Sequence, residues 1–472
     1  MTIDKLPDVA LLEIFHFYVD GSARTEEWHT LVHVCRKWRN VVFGSPRRLN
    51  LRLRCATGTP VRKTIDAWPM LPILVSSYVG DDWGGDNIIA ALEHNDRINQ
   101  LELINRSYLR SKMEKVFAAM QQPFPALENL HLYSRHETVA VPASFLGGSA
   151  PQLRSLFLES IPFPGIPKLL LSATHLVELH LHKIPHSGYF SPEAIVTALS
   201  ALTSLDRLYI GFRSPRSRPD RRRPPSPLTR TFLTALTDFE FKGVSEYLDD
   251  LVAQIDAPLL DNFHITFFYQ LIFDTPQLTQ FISRTPNFKA CNRAQVRFSD
   301  FDVWVSTMDE GLSLGISCRQ SDWQLSSLTQ VCGSIFIPTI EHLYIWEETD
   351  SLLSWQDDIE TGQWLELLQQ LTAVKDLHIS PEFTPRIAPT LQELVGGRVT
   401  EVLPALQTLF LEGTLLSGVQ KTVDMFVAAR ELAGRPISVS RWEDSNSDYD
   451  TDSGSDYDSD SDSYYDSDSD SE

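Results

Sequence analysis

LENLHL (127–132), LRSLFL (153–158), LVELHL (176–181) and LDRLYI (205–210) write one short pattern four times: an apolar residue, two others, then apolar-x-apolar. Leu101-Glu102-Leu103 begins the series. LTDFEF (236–241), LDNFHI (260–265), IEHLYI (340–345), VKDLHI (374–379) and LQTLFL (406–411) continue it, with Val296-Arg297-Phe298 a weak member. From Leu103 to Ile265 the last apolar position returns after 29, 26, 23, 29, 31 and 24 residues, and the gap reaches 47 between Phe298 and Ile345. Recurrence in the twenties marks a repeat architecture rather than unrelated domains. In a strand, residues i and i+2 share a face, so the outer residues of each triplet point into a core and the middle one points out. Helical pieces at 112–120, 192–202, 246–255 and 362–371 lie in the intervals. One strand and one helix cannot bury their apolar sides alone, whereas a stack of such pairs can. An α/β solenoid with a parallel, curved sheet is therefore expected over 55–442.

Across roughly 90–435 the pattern resembles leucine-rich repeats. The Asn that usually follows such a strand by three positions is replaced by Arg106, Arg135, Ile161 and Ile184, and the repeat lengths vary. An irregular solenoid is implied rather than a regular horseshoe.

The middle residues of the triplets should form one exposed stripe: Glu102, His131, Phe157, His180, Tyr209, Glu240, His264, Tyr344, His378 and Phe410. Aromatic and imidazole rings offer large contact area at low entropy cost, which suits recognition of a partner protein. His131, Phe157, His180, Tyr209, His264, Tyr344, His378 and Phe410 are the candidate binding residues. A metal is not expected among them. Strands lie about 4.8 Å apart, which holds His131 and His180, two strands apart, too far from one shared ion.

Residues 3–18 read IDKLPDVALLEIFHFY, with Pro7 suited to a first helical turn and Leu11, Ile14, Phe15 and Tyr18 on one stripe. In WHTLVHVCRKWRNVV (28–42), Trp28, Leu31, Cys35, Trp38 and Val42 are spaced 3, 4, 3, 4. Two or three short helices of this size cannot bury so much apolar surface alone, so the module at 1–54 should dock on a partner, on the solenoid, or on both. LPDVALLEIF followed by LVHVCRKWRNVVFGSPRRL resembles an F-box, the helical module that binds the Skp adaptor of cullin–RING ubiquitin ligases. LNLRLRCATGTPVRKTIDAWPMLPILV is similar to the continuation found in a fungal group of F-box proteins with degenerate leucine-rich repeats. Val9, where an acid is usual, and Asn50, where Trp is common, depart from the pattern. The resemblance implies adaptor contacts by Leu6, Pro7, Leu11, Leu12, Ile14, Phe15, Leu31, Val34, Cys35, Trp38 and Val41. It further implies a substrate-recognition subunit: adaptor and, through it, a cullin at one end, and a client protein on the repeat sheet. The competing expectation is a scaffold whose N-terminal helices only cap the solenoid.

The 472 residues carry a net charge of -21, but 443–472 alone hold thirteen acids and no Lys or Arg, leaving -8 on the rest. That balance argues against nucleic acid as a partner, since phosphate binding needs an excess of cations. The acidic Ser/Asp tail at 443–472 contains no aliphatic residue and is expected to be disordered. Eight of its serines have an acid three residues later, the pattern acidophilic kinases favour. RSPRSRPDRRRPPSPLTR (213–230), with seven Arg and five Pro, is expected to project as a disordered insert, and contact between it and the tail is one expectation. Between 36 and 63 there are nine basic residues and no acid, a surface able to steer an acidic partner.

No apolar run reaches about 18 residues, so no membrane span is expected. MTIDKLPD lacks the order of a secretory signal peptide. Five scattered cysteines without a CxxC pair suit a reducing compartment, cytoplasmic or nuclear. No GxxxxGK[ST], HExxH, GxSxG or strand-following GxGxxG occurs, and neither an enzyme nor a cofactor is expected.

Overall fold

The computed structural model describes residues 6–20, 28–45, 49, 53–55, 61–67, 71–79, 85–106, 110–136, 139–219, 230–270, 272–288, 292–309, 311–318, 321–335, 340–347, 361–394, 398–413 and 416–442. The tail at 443–472, Asn50 and residues 220–229 of the Arg/Pro insert lie outside the described residues.

Three short helices come first: α1 (Asp8–Asp20), α2 (Trp28–Val34) and α3 (Arg36–Gly44). Pro7 precedes α1 and its carbonyl accepts the first helical bond from the Leu11 N–H, 3.1 Å. The 3-4-3-4 stripe does not run through one helix, because Cys35 is extended (φ -158°, ψ 170°) and divides α2 from α3. That break folds the two apolar faces toward each other. Leu11, Phe15, Trp28, Val32 and Val42 are fully buried, and the Phe15 and Trp38 rings meet at 4.7 Å.

The strands then follow in series: β1 (Leu53–Cys55), β2 (Ile73–Val79), β3 (Ile98–Asn105), β4 (Asn129–Ser134), β5 (Ser155–Glu159) and β6 (Glu178–Ile184). Next are β7 (Arg207–Phe212), β8 (Thr231–Phe232), β9 (Asp238–Gly243), β10 (Ile255–Asp256), β11 (Asn262–Phe268) and β12 (Arg293–Phe298). The series ends with β13 (Asp302–Thr307), β14 (Leu312–Ser317), β15 (His342–Glu347), β16 (Asp376–Ile379), β17 (Thr408–Glu412) and β18 (Ser438–Trp442). Between them lie α4 (Val61–Ala67), α5 (Gly85–Leu92), α6 (Arg110–Ala119), α7 (Ile166–Leu170), α8 (Pro192–Leu199) and α9 (Ser245–Val252). The remaining helices are α10 (Pro276–Arg284), α11 (Ser321–Ile335), α12 (Thr361–Gln370), α13 (Thr384–Glu393) and α14 (Ser417–Leu432). Sixteen of the described strands join one sheet, and β8 pairs only with β10. The sheet begins at β1, where Leu53, Arg54 and Cys55 pair in parallel with Ile73, Leu74 and Val75 of β2.

The triplet reading sets the register. Leu103, Leu132, Leu158, Leu181, Ile210, Phe241 and Ile265 are directly aligned from β3 to β11, and each is at most 3% exposed. Together with the helices they form one apolar cluster that runs from Leu11 to Ile437. Each new repeat extends a wall already present, which is how a stack stabilises units that could not fold singly.

Strict parallelism fails at one place. After β11 the next neighbour is β14, then β13, then β12, and only then β15. β13 is antiparallel to both its neighbours, while β14 and β12 keep the common direction. The 47-residue gap thus holds a β-meander inserted backwards into the sheet, and Val296-Arg297-Phe298 belongs to a full strand within it. The Arg/Pro insert also differs from a loop that projects throughout. Ser217 is buried, Arg218 sits 3.9 Å from Glu246, and Arg230 lies 3.9 Å from Asp256, so both described ends are held against α9 and β10. At the far end the buried Arg430 of α14 donates to the Val399, Val402 and Leu406 carbonyls, fixing the turn before β17.

Candidate functional site

The sheet face opposite the buried ladder is open, and the register places all ten predicted middle residues on one row. It runs Ser76, Glu102, His131, Phe157, His180, Tyr209, Glu240, His264, Ser313, Ser306, Gln295, Tyr344, His378, Phe410, Ser440. Ser313, Ser306 and Gln295 come from the unpredicted meander. They divide the rings into two groups, one on β4 to β7 and one on β15 to β17.

The first group is a chain of touching rings. His131 meets Phe157 at 4.3 Å, and Phe157 meets His180 at 5.9 Å and His182 at 4.7 Å. His182 then stacks on Tyr209 at 3.6 Å with planes 17° from parallel. His182 was not among the predicted residues, because it lies beyond the triplet. Its signal is the run His180-Leu181-His182, where alternation continues for one more step. In the second group His378 lies between Tyr344 and Phe410, 4.1 Å from each. His378 is only 9% exposed, so it supports its two neighbours rather than presenting a ring of its own. His264 is likewise engaged: its Nδ1 shares a 2.6 Å hydrogen bond with the Ser313 hydroxyl.

Packing rings against rings removes water from the imidazoles and disfavours their charged form. Burial therefore lowers the pKa of His131 and His180 against the opposing pull of Glu102 and Glu178. It takes His182 down to about 3, with His180 and Lys183 acting in the same direction, and His378 down to about 4. Burial raises Tyr209 and Glu240. Burial thus favours the neutral form of His131, His180, His182 and His378, with the Glu102 and Glu240 carboxylates in the same row. Among the described residues no group of three His, Cys, Asp or Glu is placed to hold a metal ion. Nor is any described helix long and apolar enough to cross a membrane.

The eleven candidate adaptor residues separate by burial. Leu11, Leu12, Phe15, Leu31 and Val41 are buried. Their stripe is apolar because α1, α2 and α3 pack on one another. Leu6, Cys35 and Trp38 are half-buried. Pro7, Ile14 and Val34 are exposed, and so are Val9, Phe17 and Tyr18. Ile14, Phe17 and Tyr18, spaced i, i+3, i+4, make an uncovered apolar side of α1, with Phe17 84% exposed.

No protein-family model matches the chain, and no curated protein matches it. Among solved structures, the chain is similar to the leucine-rich repeat-containing protein LegL7 from Legionella pneumophila, with 11% identity over 81% of this chain and 97% of that chain, at a TM-score of 0.27. The repeat architecture stands on the register and burial of this chain's own strands.

Proposed function

We propose that this protein is a non-catalytic substrate-recognition subunit of a Skp–cullin–F-box ubiquitin ligase. The uncovered apolar side of α1, within a segment that resembles an F-box, carries this reading. Ile14, Phe17 and Tyr18 cost free energy when left in water, and an adaptor helix would cover them. The open face of the sheet would hold the client, with Phe157, His180 and Tyr209 near its centre. The protein's contribution to the reaction would be proximity, raising the local concentration of client lysines near the charged conjugating enzyme. Co-expression of the full chain with a Skp-type adaptor tests the first half: the two should co-purify, and failure to do so sinks the ligase reading.

A second reading is favoured by the continuous apolar cluster joining the helical module to the repeats. In it the module is a cap and the protein a binding scaffold outside any ligase. The two differ in adaptor binding and agree on the open face as a protein-binding surface.

A further inference from the structure

Six Ser-Pro or Thr-Pro pairs lie wholly among the described residues. Thr275, Thr285, Ser380 and Thr384 are buried. Ser191 is engaged at the start of α8, where its hydroxyl accepts the Ala194 N–H at 3.3 Å. Ser214 differs from all five. It is half-buried in the turn that follows β7, Pro215 and Arg216 beside it are exposed, and no hydrogen bond among the described residues engages its hydroxyl.

The turn is held lightly. The Ser217 N–H donates to the Ser214 carbonyl at 3.5 Å, and Arg218 Nε donates to the Pro215 carbonyl at 3.1 Å. A segment fixed by few contacts opens at low cost, as an enzyme that reads an extended acceptor requires. A proline directly after the acceptor offers no N–H, which suits a kinase site that has no carbonyl there to receive one.

Charge decides what a phosphate would meet. Residues 213–218 hold Arg213, Arg216 and Arg218 and no acid. Arg213 and Arg216 are exposed and form no ion pair among the described residues. Arg218 lies 3.9 Å from one oxygen of Glu246, whose other oxygen accepts from Gln270 at 2.6 Å. A phosphate brings roughly -1.5 to -2 charges and three acceptor oxygens, and would draw Arg218 more strongly than a carboxylate at that distance.

We propose that Ser214 is a phosphoacceptor for a proline-directed kinase, and that Arg213, Arg216 and Arg218 clamp the phosphate. The Ser214 oxygen attacks the γ-phosphorus of ATP, the bond to ADP breaks, and the hydroxyl proton passes to the kinase's base. Arg218 then leaves Glu246 for the phosphate, and the turn tightens on itself.

The test incubates the native full chain with ATP and a cyclin-dependent kinase and maps phosphate by mass spectrometry. Ser214 should be modified, and Ser214→Ala should remove that signal while leaving any at Ser226, which lies outside the described residues. Amide hydrogen exchange over 213–219 should slow about tenfold after modification. Arg213→Gln/Arg218→Gln, which keeps Pro215 and Arg216 for the kinase, should cancel most of the slowing. No phosphate at Ser214, or phosphate there only after thermal unfolding, overturns the proposal. So does modification that leaves exchange unchanged, or a slowing that persists in full in the double variant, since the arginines would then not hold the phosphate.

Discussion

His182 and Tyr209 lie on adjacent strands with ring centroids 3.6 Å apart and planes 17° from parallel. Two backbone features make this contact. The β6–β7 register shifts between Leu181 and Ile184, where Lys183 takes φ 47° in the left-handed region. On the other strand Gly211 leaves the space over which the Tyr209 side chain leans. A Cβ at Gly211 would meet the tyrosine Cε1 at 2.7 Å and its hydroxyl at 2.8 Å.

Gly211→Ala should therefore lift Tyr209 from His182. The expected cost is about 1–3 kcal/mol of stability, the range for forcing an atom into an occupied site. Chemical denaturation checks it, and Tyr209→Ala in the same chain should remove most of the added cost. Additive effects of the two substitutions would mean that Gly211 acts elsewhere.

The imidazoles give stability a definite pH dependence. His182 and His378 titrate near 6.5 when unfolded and at about 3 and about 4 when folded. Protonation is thus easier in the unfolded chain, and the stability tied to their neutral forms is complete above about pH 6.5 and is lost as pH falls toward the folded values. Both rings should remain neutral at about pH 5 by their NMR Cε1–H shifts. The denaturation midpoint should drop between pH 7 and 5, less so in His182→Gln/His378→Gln. An NMR midpoint near 6.5 for either ring would refute the packing argument.

Much of this face was legible because a strand has a period of two: the triplets name inward and outward residues at once, and cross-strand register then follows. The parts that were not legible have physical reasons. β13 and β14 carry the same alternation, in DVWVST and LSLGIS, but nothing local says that a strand runs backwards. Cys35 interrupts a helical stripe without a Gly or Pro to mark the break. His182 lies one step beyond the triplet, where the β6–β7 register shifts between Leu181 and Ile184, so the six-residue pattern stops short of it. In the module, an apolar stripe shows that residues want to be covered without saying whether by the same chain or another.

Asp249 of α9 behaves oppositely to the histidines. Its carboxylate accepts the Gln277 and Leu278 N–H groups at 2.8 and 2.9 Å, satisfying the first turn of α10. Burial nevertheless raises its pKa from 3.8 to about 6, the two hydrogen bonds opposing and Asp250 and Asp274 adding to the rise. A raised folded value contributes stability that is complete below 3.8 and is lost as pH rises through about 6. Asp249→Asn keeps an acceptor and discards the charge. It should match or exceed the native chain in thermal stability at about pH 7.5, with the difference vanishing at about pH 4. Asp249→Ala, which lacks the acceptor, should be about 1 kcal/mol less stable than Asp249→Asn at both.

The adaptor reading is best tested on residues that the fold does not need. Phe15→Ala would empty a fully buried site and cost about 3–5 kcal/mol, so lost adaptor binding there would report only a damaged module. Ile14→Asp and Phe17→Asp alter side chains that are 49% and 84% exposed, and stability should stay within about 0.5 kcal/mol of the native chain. Each places a charge where an adaptor would bury an apolar contact, which disfavours the complex by leaving that charge unpaired. Co-purification with a co-expressed Skp-type adaptor should therefore be lost in both, with the denaturation midpoint unchanged. Retained binding in both variants would mean that the uncovered side of α1 is not the adaptor contact, and the cap reading of the module would then be the stronger one.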